Sequence, residues 1–170
     1  MQIRPSTYGE LDRLMEIFDE ARYTISLLGI DQWQDGYPSR KVIEEDIAKK
    51  QSFCIAMDGK VCGTLVMIPD GEVTYQKIYE GTWLTDTEAC DYLTIHRVAI
   101  AVDCRGRGIA KTMMEDATDY ARRLGKRSLR IDTHKGNVVM RRMLEKNGFS
   151  YCGVIYLESG APRVAYEKLI

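Results

Sequence analysis

Five small or branched apolar residues, Val98-Ala99-Ile100-Ala101-Val102, lead through Arg105-Gly106-Arg107-Gly108 into apolar positions at Ile109, Met113, Ala117, Tyr120 and Leu124. The first run reads as a buried strand over 92–102, and the second has the three-to-four spacing of one helix face. A strand followed at once by a helix lays that helix on a sheet, so the chain is of the α/β or α+β class. The turn between them adds a chemical constraint. The first N–H groups of a helix have no partner within it and its dipole makes that end positive, so a glycine-rich entry suits an anion.

Two common phosphate-binding turns are disfavoured residue by residue. A dinucleotide fingerprint starting at Gly106 needs glycine or alanine at 111, where Lys111 stands. A P-loop ending at Lys111-Thr112 needs glycines at 105 and 110, where Arg105 and Ala110 stand. The charge around the turn still fits a polyphosphate, because residues 104–146 hold twelve Lys/Arg and five acids, a net of +7. Most of these cations also read as solvated helix faces; only Arg105, Arg107 and Lys111 are tied by position to the turn.

The same periodicity arguments order the rest of the chain. A short strand over 2–5 precedes the capping box Thr7-x-x-Glu10 and a helix carrying Leu11, Leu14, Met15, Phe18, Ile25 and Leu28, which Gly29 stops. A loop over 30–38 carries Trp33 and Tyr37, and Ser39 caps a second helix running to Lys50. Asp58-Gly59 between two apolar runs is a hairpin signal. Residues 70–91 read as an insertion with six acids, one base and three aromatics, Tyr75, Tyr79 and Trp83. A strand over 127–133, a helix over 137–147 and a closing hairpin over 149–157 and 164–169 follow. The order is β-α-α-β-β-β-α-β-α-β-β, one domain over residues 1–170.

Composition narrows the function. The net charge is −1 and the charged fraction 29%, without the basic excess of a nucleic-acid binder. Five cysteines without a C-x-x-C pair, and two histidines, make a metal site unexpected. The thiols are expected to be free and mostly buried. No leader-like segment or run of 18 apolar residues is read, so a cytoplasmic protein without membrane contact is expected.

The turn also reads as R-x-x-G-x-A, and with the strand before it, Asn137 opening the next helix and Asn147-Gly148-Phe149 closing it, the chain resembles the GNAT superfamily of acyl-CoA N-acyltransferases. The element order fits that fold over essentially all residues. The resemblance implies a mixed, mostly antiparallel sheet flanked by helices, and acetyl-CoA or coenzyme A as co-substrate with no metal. It implies that Arg105, Gly106, Arg107, Gly108, Ile109, Ala110 and Lys111 hold the phosphates, with Asn137 also on the coenzyme. A bulge in the preceding strand would free Val98, Ala99 and Ile100 for the pantetheine arm, and the Val98 N–H would serve as oxyanion donor.

By the same resemblance a base lies two or four residues upstream, at His96 or Thr94. An imidazole with its ordinary pKa of about 6.5 is mostly neutral at cellular pH and can take a proton from an attacking amine through water. His96 reads equally as a histidine hydrogen-bonded within its strand, and His134 as structural. Only Cys104, beside Arg105, has the basic company of a reactive thiol. Leu144 stands where the family often has a tyrosine acid, with Tyr151 or Tyr156 as substitutes. The acceptor is a small-molecule or peptide amine, with Trp33 and Trp83 as candidate contacts; acid and aromatic surface would favour a cation. A homodimer is compatible with this reading. The competing readings are a CoA-binding sensor or scaffold without turnover and, more weakly, a nucleotide-binding module.

Overall fold

A computed structural model describes residues 2–170. Strand β1 (Ile3–Pro5) leads through a single 3-10 turn to helix α1 (Leu11–Ser26), and α2 (Arg40–Ala48) precedes the hairpin β2 (Ser52–Met57) and β3 (Lys60–Ile68). The long strand β4 (Tyr92–Ile100) is followed by α3 (Ile109–Arg123), β5 (Ser128–Thr133), α4 (Val138–Lys146), β6 (Ser150–Tyr156) and β7 (Pro162–Leu169). The strands are ordered β1-β2-β3-β4-β5-β7-β6 in one seven-stranded sheet. The pairs β1–β2, β2–β3, β5–β7 and β6–β7 are antiparallel, and β4 with β5 is parallel.

The chain divides into two compact units, one of residues up to Met67 with Arg97–Asp116, the other of Ile68–His96 with Ala117–Ile170. In the first, α1 buries Leu11, Leu14, Ile17, Phe18, Ala21 and Ile25, one face at helical spacing. The Thr7 N–H donates to Glu10 Oε2 at 2.9 Å, and Ser39 Oγ accepts the Val42 N–H at 3.4 Å at the start of α2. The hairpin turns on Asp58 (φ 51°) and Gly59 (φ 78°), both left-handed as a two-residue turn of matching twist requires. Pro5 sits on β1, the edge strand, where a missing N–H costs no ladder bond.

In the second unit, residues 69–91 contribute one 3-10 turn (Val73–Tyr75) and no strand, yet they are anchored to its core. Tyr75 and Trp83 pack with Tyr92, Cys152, Ile155 and Ala165, and Tyr79 exchanges backbone hydrogen bonds with Val154 at 2.8 and 2.7 Å. Gly81 is required there, since a Cβ would lie 2.0 Å from the Cys152 carbonyl oxygen. Below Trp83 lies a fully buried ion pair: Arg130 Nε donates to Glu167 Oε1 at 3.0 Å, with both side chains 0% exposed.

Two expectations are corrected. The strand expected through Val102 ends at Ile100, because Val102–Cys104 wind into a 3-10 turn in which the Cys104 N–H donates to the Ala101 carbonyl at 3.0 Å. The thiols are not all free. Cys62 on β3 and Cys104 form a disulfide, their Cα atoms 5.7 Å apart, while Cys54, Cys90 and Cys152 are free.

Candidate active site

The turn at residues 105–108 is held by its own unit and open on its backbone. Arg105 Nη2 donates to Thr24 Oγ1 of α1 at 3.1 Å, and Glu20 Oε2 accepts the Val102 N–H at 2.6 Å. Asp103 pairs with Lys60 and, at 3.7 Å, with Arg13. The disulfide secures Cys104, immediately before the turn. Gly106 (φ 75°) and Gly108 (φ 78°) take left-handed conformations, and no protein atom lies within 4 Å of where a Cβ would stand on either. The Gly108 carbonyl accepts the Thr112 N–H at 3.1 Å, which starts α3. Among the described residues, the N–H groups of residues 106–111 meet no acceptor, so the entry to a fifteen-residue helix, its positive end, carries unpaired donors.

Side chains around this turn differ in how far they are engaged. Arg107 is exposed and makes no hydrogen bond or ion pair among the described residues; Lys111 is exposed and only 3.7 Å from Glu115. Ile109 is buried and anchors the helix, with Ala110 half-buried beside it.

Strand β4 holds one left-handed residue. Arg97 has φ 52° in mid-strand, a conformation that costs a non-glycine residue about 1–3 kcal/mol unless its surroundings hold it. Here they do. Its guanidinium donates to Asp46 Oδ1 of α2 at 2.7 Å and to the Tyr37 hydroxyl, with the Arg97 and Asp46 side chains 12% and 6% exposed. Val98 and Ile100 after Arg97 are half-buried, and Ala99 is buried. In the second unit, β4 pairs with β5 only at Tyr92, Leu93 and Thr94, although β5 continues to Thr133. The left-handed Arg97 is thus held by an aspartate and a tyrosine hydroxyl, contacts that periodicity did not single out.

His96, the residue before Arg97, is half-buried, and its Nε2 lies 3.0 Å from Glu72 Oε2. Glu72 Oε1 accepts from the Thr74 N–H at 3.3 Å and from its hydroxyl at 3.2 Å, and the Glu72 N–H donates to the Tyr92 phenol oxygen at 3.1 Å. The hydrogen bond with His96, ahead of the opposing effect of burial, holds the Glu72 carboxyl below the usual glutamate range. Beside it, the Tyr75 hydroxyl donates to Asp132 Oδ1 at 2.7 Å; burial first and the Asp132 charge second push this phenol well above its usual range. Of the two expected positions, Thr94 is 0% exposed and His96 half-buried.

The remaining singled-out residues lie as follows. Asn137 is buried and caps α4, its Oδ1 accepting the Met140 N–H at 3.1 Å. His134 Nδ1 accepts the Gly136 N–H at 3.0 Å, a turn-closing bond. Trp33 is half-buried, its ring 5.9 Å from Phe18 and 6.3 Å from Tyr37. Trp83 is buried, and its indole N–H donates to the Tyr75 carbonyl at 2.9 Å. Leu144 is fully buried, Tyr151 and Tyr156 are exposed, and the buried Tyr166 phenol is engaged by Arg141 and Glu145. Among the described residues no helix is long and apolar enough to cross a membrane.

Glu72, Arg97 and Asp46 were missed because their partners lie 24 to 60 residues away in sequence. The one available signal was an acid, Glu72, in a stretch otherwise without periodicity.

Comparison with known proteins places this geometry. The model of the acetyltransferase (GNAT) family matches residues 11–149. A GNAT-family acetyltransferase structure from Streptococcus agalactiae 2603 is 39% identical with a TM-score of 0.90, over 99% of this chain and 95% of its own. PaiA N-acetyltransferase from Thermoplasma acidophilum, solved with coenzyme A, is 18% identical with a TM-score of 0.70, over 99% of this chain and 98% of its own. AAC(6')-Ib, solved with ribostamycin and coenzyme A, is 15% identical with a TM-score of 0.70, over 99% and 92%. The last two speak to the fold alone. No curated protein matches the chain. A family match over most of the chain, together with a 39%-identical structure that shares its fold, establishes that the chain belongs to the acetyltransferase (GNAT) family.

Proposed function

We propose that the protein is an N-acetyltransferase that moves an acetyl group from acetyl-CoA to an amine by direct attack. The observation that carries this is the row of acceptor-free N–H groups over residues 106–111, flanked by exposed Arg107 and Lys111, in a chain of this family. These residues fit a diphosphate. Backbone donors approach closely because Gly106 and Gly108 carry no side chain, and the helix dipole and two cations supply opposing charge.

Residues 105–111 hold the phosphates in this reading, and the backbone of Val98, Ala99 and Ile100 beyond Arg97 receives the pantetheine amides as an added strand would. The Val98 N–H is the donor for the oxygen that gains charge. Bound acetyl-CoA supplies a thioester whose carbon accepts the amine lone pair while the C–S electron pair leaves on sulfur, to be protonated from solvent. His96 takes the proton lost by the amine through a water molecule. Asn137 belongs to the coenzyme side by resemblance, and its Oδ1 is committed to capping α4. The acceptor is a small-molecule or peptide amine, with Trp33 and Tyr37 as its aromatic contacts; the buried Trp83 shapes the segment behind Glu72 instead.

A second reading, a CoA-binding sensor without turnover, is favoured by one observation: Leu144 at the expected acid position is buried and apolar, and the Tyr166 phenol is already engaged. One experiment separates the two. Acetyl-CoA is incubated with a panel of primary amines and peptides while released thiol is titrated, and CoA binding is followed by calorimetry. Amine-dependent thiol release is expected. Binding without release for any amine overturns the enzyme in favour of the sensor, and no heat with either form of the coenzyme overturns both.

A further inference from the structure

We infer that Glu72 is a positioning residue for this reaction: it holds His96 in the Nε2–H tautomer, so that Nδ1 is the nitrogen that receives the proton. This rests on the N-acetyltransferase reading above. A neutral imidazole carries one N–H and one lone pair, and its hydrogen-bond partner decides which nitrogen has which. Glu72 is held low in the carboxylate range and so is ionised at neutral pH, where it only accepts hydrogen bonds. At 3.0 Å from Nε2 it therefore requires a proton on that nitrogen.

The carboxylate is fixed from every side that matters to this bond. Its second oxygen is taken by the N–H and hydroxyl of Thr74, and its own backbone N–H is tied to the Tyr92 phenol. Gly71, one residue earlier, has φ 85°, which brings the chain across Tyr92. Of the other titratable groups around the ring, Tyr75 is 6.1 Å away between centroids and its hydroxyl is given to Asp132, so neither competes for Nε2. When the amine releases its proton, the water relays it to Nδ1, while the Nε2–H still donates to Glu72 across the ring. On regeneration Nδ1 returns the proton to solvent and Nε2 keeps its own.

A purely structural hydrogen bond would set the same tautomer without affecting turnover, so the test reads both the nitrogen and kcat at unchanged KM. Long-range nitrogen-15 NMR of neutral His96 in the full-length protein is expected to show Nε2 protonated and Nδ1 unprotonated. In Glu72→Gln and Glu72→Asp the tautomer preference should weaken, with kcat for the best amine lowered about tenfold and the KM for acetyl-CoA unchanged. Glu72→Asp keeps the charge but shortens the reach, so it serves if the glutamine variant does not fold. An Nδ1–H tautomer in the wild type, or variants with unchanged kcat, overturns the inference while leaving transfer intact. Absence of thiol release by the wild type with every amine overturns the transferase reading instead, and this role of Glu72 with it.

Discussion

Arg130 and Arg107 lie in the same basic stretch of sequence and end in opposite states. Arg130 is fully buried, its Nε on Glu167 at 3.0 Å, its Nη2 on the Thr85 carbonyl at 2.7 Å, and its Nη1 on Thr87 Oγ1 at 2.9 Å. Its plane lies over Trp83 and Tyr92, 4.3 and 4.0 Å from their centroids. Arg107 is exposed, with no partner among the described residues. A cation hydrogen-bonded within the protein organises the fold, whereas an exposed one meets solvent and, in the function proposed above, the coenzyme phosphates. The charge of +7 counted over residues 104–146 mixes the two kinds. Lys126 is likewise bound to the carbonyls of Pro69 and Cys90, and Arg141 to Tyr166 and the Lys135 carbonyl.

The sharpest break of this contrast is at Arg130. Arg130→Met is expected to destabilise the protein by about 3–5 kcal/mol, because Glu167 is left charged and buried. The double variant Arg130→Met/Glu167→Met should regain much of that in denaturant unfolding; a double variant as unstable as the single one would show that the pair itself, not the orphaned charge, matters. Gly108→Val comes next. It should weaken CoA binding more than tenfold by calorimetry and cost about 1–2 kcal/mol of stability, since φ is 78° there. Arg107→Ala should raise the CoA Kd about threefold to tenfold, roughly 1 kcal/mol, with Tm unchanged. An equal loss of stability would erase the distinction drawn between the two arginines.

A smaller effect is expected at Glu10. Arg4 foremost, with Thr7, holds its carboxyl down to about 2 from the ordinary value of 4.5. Its folded pKa is depressed, so its contribution is present above pH 4.5 and is lost as pH falls toward 2. Glu10→Gln should therefore be slightly less stable at pH 7 and equal to wild type near pH 2 by thermal melts. The thiols offer the mildest check. Cys90 alone is exposed, while burial pushes the Cys152 thiol up to about 11, so native alkylation should mark Cys90 first. Denaturation without reductant should release three thiols rather than five by mass spectrometry, given the disulfide.

The element order was legible throughout because each element advertises itself locally: periodicity in α1 and α3, Asp58-Gly59 in the hairpin, Gly29, Gly125 and Gly148 after helices. The open glycine turn was legible for the same reason. Residues 69–91 were not, since nothing in their own pattern says that Tyr75 reaches Asp132, 57 residues on, or that Leu84 and Thr85 donate to Glu167. The Cys62–Cys104 disulfide escaped notice because its two ends are 42 residues apart and share no motif. Trp83 shows the ambiguity of aromatic residues in an acidic stretch, which look alike in sequence whether they face a ligand or a buried guanidinium.

By itself, then, the sequence determined which segments are strands and helices, and that a glycine turn opens α3 with unpaired donors. Those properties follow from backbone geometry and spacing within a dozen residues. Only the tertiary structure decided that Arg97 is held against Asp46, that Glu72 meets His96, and which cations are consumed inside the fold. Such pairings are set by which distant surfaces pack together, and a buried charge or a left-handed arginine is tolerated only where that packing supplies its partner.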